Sequence, residues 1–344
     1  MTDPRALRVG VLPDTAQQST DRGGRIWANV LAELRPLVDV VVDEPRRKSL
    51  LRRASNVDVW LLDGHAEAVE TAEPQVVVAH DTSWLDPTAA LPRENRVAMS
   101  ATTGATLRRA TLVIVPTQHL KAQLVGAFSL PEGRVHVVPC GVDPGVHGPV
   151  AAGGADLVAT RSGQRAPYVL AVTTTPRADI TPLLAAFDGF TALALPHVLV
   201  VAGTGRLDQL PSADPAAGLP SASAKVVRIE NPSDAQIAGL MADCSAFCDP
   251  STSDEVGLTV LEAMACGAPV VVSDRGALPE VVGGAGLVVP PDATALRAAL
   301  HRVMTDHALA ERLGAAAADR AQRQTWAGTA SGWASVLRGA AAPR

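Results

Sequence analysis

Residues 244–274, CSAFCDPSTSDEVGLTVLEAMACGAPVVVSD, contain the clearest structural pattern in the chain. An apolar run ends at Pro250, polar residues follow, and a second apolar run stops at Gly267. Glycine suits the left-handed position just after a helix, and Pro269 prevents the helix from continuing. The valines at 270–272 then begin a new β-branched run. This order predicts a strand, a helix and a second strand, with the two strands parallel.

The same alternation recurs along the whole chain. Short apolar, β-branched runs separated by helical stretches extend from LRVGVL to RVHVVP, and again from YVLAVTT to AGLVVPP. Continuous apolarity indicates strands that are buried on both faces, as in parallel sheets covered by helices. We therefore expect an α/β protein with two doubly wound, Rossmann-like domains and a ligand cleft at the carboxyl ends of their strands.

The composition between the two series sets the expected domain bounds. Residues 146–166 are rich in Gly, Pro and Ala, which favours a linker. The N-terminal domain is then expected at 1–145 and the C-terminal domain at 167–325. A terminal helix at 326–344, with two tryptophans at helical spacing, is expected to pack back on the first domain.

Composition and charge exclude several functional classes. The 344 residues carry a formal net charge of −5, which argues against general binding of nucleic acid. The four cysteines match no zinc pattern, and the chain contains no Asp-x-Asp, so no metal ion or bound cofactor is expected. No stretch approaches the roughly 20 apolar residues of a membrane-spanning helix. We expect a cytoplasmic protein of unspecified oligomeric state.

One basic run is a candidate membrane contact. The segment EPRRKSLLRRAS places five positive charges between Arg46 and Arg53. Such a run is compatible with weak contact with an anionic surface, at the inner face of a membrane. The pattern favours an ordinary solvated helix over this contact.

Two acidic residues in the opening stretch allow two interpretations. Thr259 and Glu262 have the spacing of a capping box, in which both side chains bond backbone N–H groups at a helix start. Alternatively, the helix N-terminus after Gly257 would bind a diphosphate, and Glu262 would accept hydrogen bonds from ribose hydroxyls. Asp254 would then face the group attached to the diphosphate. These residues alone leave both interpretations open.

The segment at 249–293 resembles the signature of the family 4 retaining glycosyltransferases, which have the GT-B fold. The positions that match in register are Pro250, Ser251, Gly257, Leu258, Leu261, Glu262, Ala263, Met264, Gly267, Pro269, Leu278, Pro279, Glu280 and Gly286. The resemblance implies that Glu262 is the second acid of the family's Glu-x7-Glu pair and binds the nucleotide ribose. It implies that Asp254, one methylene shorter than the family's glutamate, holds the donor hexose. The donor loop would also include Glu255, Val256, Gly257, Leu258 and Thr259.

The resemblance extends to a cationic loop in the C-terminal half. Pro176 and Arg177 correspond to a loop in which the family neutralises the leaving diphosphate. Ala178 stands where the family has a lysine, and Thr173 where it has a glycine. The resemblance thus implies that Arg177 binds the donor and assists catalysis.

Two further features of the N-terminal half also resemble the family. Gly23 and Gly24 correspond to a loop that meets the donor diphosphate and the acceptor, while His80 corresponds to a histidine close to the donor sugar. The implied catalytic residues are therefore His80, Asp254 and Arg177. The first domain would be the acceptor side, and the second would bind the nucleotide sugar.

The implied activity is transfer of a hexose from a nucleotide-diphosphate sugar, with retention and an α linkage, without a metal. The acceptor would be a hydroxyl of a small molecule, a glycan or a lipid-linked compound; the nucleotide base is not specified. The departures at Asp254, Ala178 and Thr173 leave an alternative open. The chain would then be a catalytically impaired GT-B partner or a nucleotide-sugar-binding subunit.

Overall fold

The computed structural model describes residues 6–12, 22–42, 57–65, 70–85, 92–148, 151–173, 180–188, 190, 195–203 and 226–342. The chain divides into two compact units. The first consists of Met1–Gly141 and Thr325–Arg344, and the second of Val142–Gln324. The first unit is therefore discontinuous in sequence.

The first unit is built on a parallel sheet. Its described strands are β1 (Arg8–Val11), β2 (Asp39–Val42), β3 (Val59–Asp63), β4 (Gln75–Val78), β5 (Leu112–Val115) and β6 (Val135–Val137). They lie in the order β2-β1-β3-β4-β5-β6, and every pair is parallel. Helices α1 (Arg22–Leu34), α2 (Arg93–Arg109) and α3 (Gln118–Phe128) connect them, with short 3-10 helices at Ser83–Leu85 and Glu132–Arg134.

The second unit repeats this design. Its described strands are β7 (Tyr168–Thr173), β8 (Val198–Gly203), β9 (Val226–Glu230), β10 (Ala246–Asp249), β11 (Val270–Ser273) and β12 (Leu287–Val289), in the order β12-β11-β10-β7-β8-β9. The helices are α4 (Gly154–Ser162), α5 (Thr181–Asp188), α6 (Asp234–Asp243), α7 (Leu258–Ala265), α8 (Leu278–Val282), α9 (Ala293–Thr305) and α10 (His307–Gln322). A last helix, α11 (Trp326–Ala341), returns to the first unit.

The central strands of the second unit are buried on both faces. Leu170 and Val200 lie in one apolar cluster, whereas their neighbours Val169 and Val201 lie in another. Successive strand residues point to opposite faces, so each of these strands contributes to both helical layers. The expectation of doubly wound α/β domains is confirmed.

The Gly-rich segment at 146–166, expected to be a linker, contains helix α4 and packs against α6 within the second unit. A Cβ atom at Gly154 would lie 2.3 Å from the carbonyl oxygen of Gly239. The small residues therefore permit close helix packing, which explains why the composition is so similar to that of a linker.

Helix α11 packs on α1 in the first unit. The rings of Trp333 and Trp27 meet edge to face, with centroids 5.2 Å apart. The Thr329 hydroxyl donates a hydrogen bond to the carbonyl oxygen of Pro139 at 2.8 Å, next to the end of β6. Within the described part of the chain, every helix is too short or too polar to cross a bilayer.

Candidate functional site

The loop at 250–257 follows β10 and is held by its neighbours. The backbone N–H of Ser251 donates to Oδ1 of Asp249 at 2.9 Å, and the Ser273 hydroxyl donates to the carbonyl oxygen of Ser251. Ser273 ends β11, which is the strand next to β10 in the sheet. The loop therefore lies at the carboxyl end of the sheet, the edge where open α/β folds bind ligands.

Asp254 shapes the turn that leads into α7. Its side chain is 4% exposed, and Oδ1 accepts the backbone N–H groups of Val256 at 3.0 Å and Gly257 at 2.8 Å. Its carbonyl oxygen accepts the N–H of Ala277 at 2.7 Å. Gly276, at φ 60°, allows this approach, because a Cβ atom there would lie 2.4 Å from that carbonyl oxygen. The acid predicted to hold a hexose therefore also has a clear structural task.

The capping-box interpretation of Thr259 and Glu262 is wrong. The N-cap residue of α7 is Gly257, at φ 67° and ψ 27°, which has no side chain with which to cap this N-terminus. The helix begins before Thr259, because Asp254 fixes the turn and glycine adopts its left-handed conformation without strain. Thr259 consequently lies in the first helical turn and Glu262 in the second.

Glu262 is a buried acid in the second turn of α7. It is 4% exposed, and its Oε1 lies 4.0 Å from Nε2 of His147, which is 6% exposed. Burial, reinforced by the nearby Glu262 carboxylate, raises the pKa of the Cys266 thiol to about 12. A buried carboxylate is costly unless polar groups compensate it, so its presence here indicates a task beyond packing.

Sequence reasoning missed His147. The carbonyl oxygen of Asp143 accepts the N–H of His147 at 2.7 Å, and Oδ1 of Asp143 accepts that of Gly145 at 2.8 Å. This turn places His147 beside Glu262, more than a hundred residues along the chain. No local pattern signals such a pairing.

The other predicted donor-loop residues are also at this edge. Glu255, Val256, Leu258 and Thr259 are all buried. Thr173 ends β7, next to β10 in the sheet, and its buried hydroxyl has no hydrogen-bond partner among the described residues. The predicted phosphate-binding Arg177, with Pro176 and Ala178, lies outside the described residues.

In the first unit, the structure brings Gly23 and His80 together. Gly23 and Gly24 lie in the first turn of α1, and His80 follows β4. A Cβ atom at Gly23 would lie 2.2 Å from Nε2 of His80, so a side chain at this position would collide with the imidazole ring. The same nitrogen lies 3.8 Å from Oδ2 of Asp63.

Asp63 and His65 complete a cluster that sequence reasoning also missed. One potential ligand atom from each of Asp63, His65 and His80 lies within 4.8 Å of the others. Asp63 ends β3 and His80 follows β4, the adjacent parallel strand. The occurrence of both residues just at strand ends is the signal that would have linked them.

Two family profiles match the chain, one mainly in each unit. Residues 166–306 match the family described as "Glycosyl transferases group 1", and residues 31–146 match "Glycosyltransferase Family 4". The first match contains the whole Asp254–Glu262 region.

Curated relatives match shorter segments. A D-inositol 3-phosphate glycosyltransferase of Streptomyces bingchenggensis is 41% identical over 97 residues, 26% of this chain and 21% of the relative. A phosphatidyl-myo-inositol mannosyltransferase of Mycobacterium leprae is 34% identical over 160 residues, 45% of this chain and 41% of the relative. The matches therefore span less than half the length of these relatives.

A solved structure matches over nearly the whole chain. HepE of Anabaena, in complex with UDP and glucose, superimposes with a TM-score of 0.72 at 17% identity, covering 97% of this chain and 100% of HepE. This likeness shows the fold, which is GT-B. The two family matches together span residues 31–146 and 166–306, and by them the chain belongs to the group 1 glycosyltransferases.

Proposed function

We propose that this protein is a retaining glycosyltransferase that moves a hexose from a nucleotide-diphosphate sugar to a hydroxyl acceptor, with an α linkage. The observation that carries the proposal is the buried Glu262 carboxylate, one turn into a helix whose N-cap is glycine. This acid lies beyond the N3 position of a capping box, and it belongs to the segment that matches the family.

The donor is assigned to the carboxyl edge of the second unit. The first N–H groups of α7 and the positive end of its dipole suit a diphosphate, since Gly257 supplies no side chain to cap them. Glu262 accepts hydrogen bonds from ribose hydroxyls. Asp254 receives the hexose, because it lies in the loop just before α7 and a carboxylate accepts hydrogen bonds from sugar hydroxyls.

The relatives support this class of donor. HepE was solved with UDP and glucose, and the two curated relatives are named for glycosyl or mannosyl transfer to inositol compounds. We accordingly propose glucose or mannose as the transferred sugar. A polyol, glycan or lipid-linked hydroxyl is the proposed acceptor.

The proposed reaction needs no covalent enzyme intermediate. The bond between the anomeric carbon and the diphosphate oxygen breaks through an oxocarbenium-like transition state, as in glycoside hydrolysis. The acceptor oxygen bonds to the same face of that carbon, and its proton passes to the leaving phosphate. The α7 N-terminus and Arg177 stabilise the developing diphosphate charge. His80, beside Gly23, is proposed to orient the donor sugar.

Calorimetric titration with UDP, GDP, ADP and TDP tests the donor site. We expect one nucleotide to bind, and Glu262→Gln to weaken it at least tenfold, because an amide is a poorer partner for two ribose hydroxyls. The control is Glu311→Gln, which removes an exposed acid of α10 and should leave affinity unchanged. If Glu262→Gln binds as tightly as the wild type, the ribose assignment is wrong.

A turnover assay distinguishes an active glycosyltransferase from a subunit that only binds the sugar nucleotide. We expect the purified chain to release the matching nucleoside diphosphate from a sugar donor when an inositol or mannoside acceptor is present. Binding of the sugar nucleotide with no release on any acceptor would instead support a catalytically impaired partner.

We place the protein at the cytoplasmic side of the membrane. All four cysteines are free and buried, which fits a reducing compartment. The basic run at 46–53 lies outside the described residues, and its weak membrane contact is part of the proposal. Sedimentation with anionic vesicles tests it, since replacing the five basic residues by glutamine should abolish co-sedimentation.

A further inference from the structure

We propose that Asp63, His65 and His80 form a binding site for a divalent transition-metal ion of the zinc class. The three side chains offer two imidazole nitrogens and one carboxylate oxygen, all within 4.8 Å of one another. All three residues belong to the first unit, whereas Glu262 belongs to the second.

The backbone brings the three ligands together. In the parallel pairing of β3 with β4, Asp63 is directly opposite Val78, so residues that follow the two strands emerge side by side. The backbone N–H of His65 donates to Oδ1 of Asp63 at 2.8 Å, which forms a tight turn after β3. This turn places the His65 ring beside the His80 ring, with centroids 5.5 Å apart.

The chemistry of the three ligand atoms determines which kind of metal ion the site prefers. Imidazole nitrogen suits zinc, cobalt, nickel and copper, whereas magnesium and calcium prefer sites made only of oxygen. Zinc binds such atoms at about 2.0–2.2 Å, so its ligand atoms lie about 3.4 Å apart in a tetrahedral site. His65 is exposed and can move by the short distance that this requires. Three protein ligands leave one coordination position open.

The surroundings of the cluster favour a metal site. The indole N–H of Trp27 donates to Oδ2 of Asp63 at 2.5 Å, and together with the His65 N–H it fixes the carboxylate. Hydrogen bonds of this kind hold the ligands of known metal sites in position. Gly23 packs against the His80 ring, and a Cβ atom there would lie 2.2 Å from Nε2, so a larger residue would displace this ligand.

Metal binding has a functional consequence. His80 is the imidazole that we assign to the donor sugar, so an ion bound to it would compete with substrate and slow transfer. This consequence rests on the proposed function, whereas metal binding itself does not.

The test uses the full chain, freed of metal with a chelator. Zn²⁺ is titrated in competition with a chromophoric chelator, and Co²⁺ is followed by its visible absorption bands. The variant is His65→Ala, and the matched control is His307→Ala, which removes an exposed histidine of α10. Thermal melts show whether each variant folds.

We expect one Zn²⁺ per chain in the wild type and in His307→Ala, with at least tenfold weaker binding and no Co²⁺ bands in His65→Ala. The proposed metal site is wrong if the wild type binds no Zn²⁺. It is also wrong if His65→Ala is folded and binds Zn²⁺ with the same affinity as the wild type. In transfer assays, Zn²⁺ should inhibit the wild type at lower concentrations than it inhibits His65→Ala. Zn²⁺ that binds at His65 without slowing transfer would contradict the assignment of His80 to the donor.

Discussion

Asp254 is bound to its own loop through Oδ1, and it is also proposed to contact the sugar. Two substitutions separate these tasks. Asp254→Ala removes the acceptor of two buried N–H groups, so we expect a loss of about 1–3 kcal/mol in the free energy of unfolding. Asp254→Asn keeps an oxygen at this position and should remain close to the wild type in stability.

The two substitutions should affect the rate of sugar transfer differently from the free energy of unfolding. If the carboxylate charge holds the hexose, Asp254→Asn loses at least tenfold in kcat/KM although it remains folded. Urea denaturation and a coupled assay for the released nucleoside diphosphate provide the two measurements. An asparagine variant as unstable as the alanine variant would contradict the assigned turn geometry.

His147 is expected to position Glu262. Its Nε2 lies 4.0 Å from Oε1 of the acid and both side chains are buried, so His147→Leu should weaken nucleotide binding through the carboxylate. A double-mutant cycle with Glu262→Gln measures the coupling, which we expect to reach about 0.5 kcal/mol or more for residues in contact. Additive effects of the two substitutions would exclude a positioning role.

At this scale the sequence predicted which elements carry the two acids. Asp254 lies on the expected loop and Glu262 on the expected helix, although in its second turn rather than at its start. The start of α7 was not predictable in the same way, since it depends on a left-handed Gly257 held by Asp254. The neighbours His147 and Asp63 come from distant parts of the chain, and a single sequence carries no record of such contacts.

Helix α11 shows how an element stabilises a unit far from it in sequence. Trp333 is buried and packs on the Trp27 ring, so Trp333→Ala should cost about 3–5 kcal/mol in unfolding free energy. Ser331→Ala, on the exposed face of the same helix, should change it by less than about 0.5 kcal/mol. Urea denaturation followed by tryptophan fluorescence checks both, and equal effects would contradict the packing of α11 on α1.

The elements themselves were largely predictable. Buried parallel strands have continuous apolar runs, and turn residues separate them from the helices. Helix α4 is the instructive exception. Its Gly- and Ala-rich composition is typical of linkers, but Gly154 is needed for contact with Gly239 on α6. Composition alone does not distinguish a flexible segment from a closely packed one.

Over the whole molecule, buried thiols should make stability fall at high pH. Burial raises the pKa of Cys244 and Cys248, and it raises that of Cys266 to about 12 from its ordinary value of 9.0. The folded state keeps these protons while the unfolded chain loses them above pH 9.0. The unfolding free energy should therefore decline as pH rises from about 9 towards 12.

Denaturant midpoints at pH 8, 9 and 10 measure this decline. Cys266→Ala should flatten it, since one of the groups that titrate is removed. In the native protein at pH 8, a thiol reagent should react with none of the four cysteines, whereas all four should react in denaturant. Rapid labelling of the folded protein would contradict the burial of these groups.

The discontinuity of the first unit has a consequence for biosynthesis. Residues 142–324 emerge from the ribosome as one uninterrupted stretch, so the second unit can complete its core while translation continues. The first unit begins earlier but lacks Trp333 until residues 325–342 have been made, and Trp27 meanwhile has no partner ring. The half of the protein that is synthesised first is thus completed last, and in that interval the exposed surface of α1 is where a nascent-chain chaperone would bind.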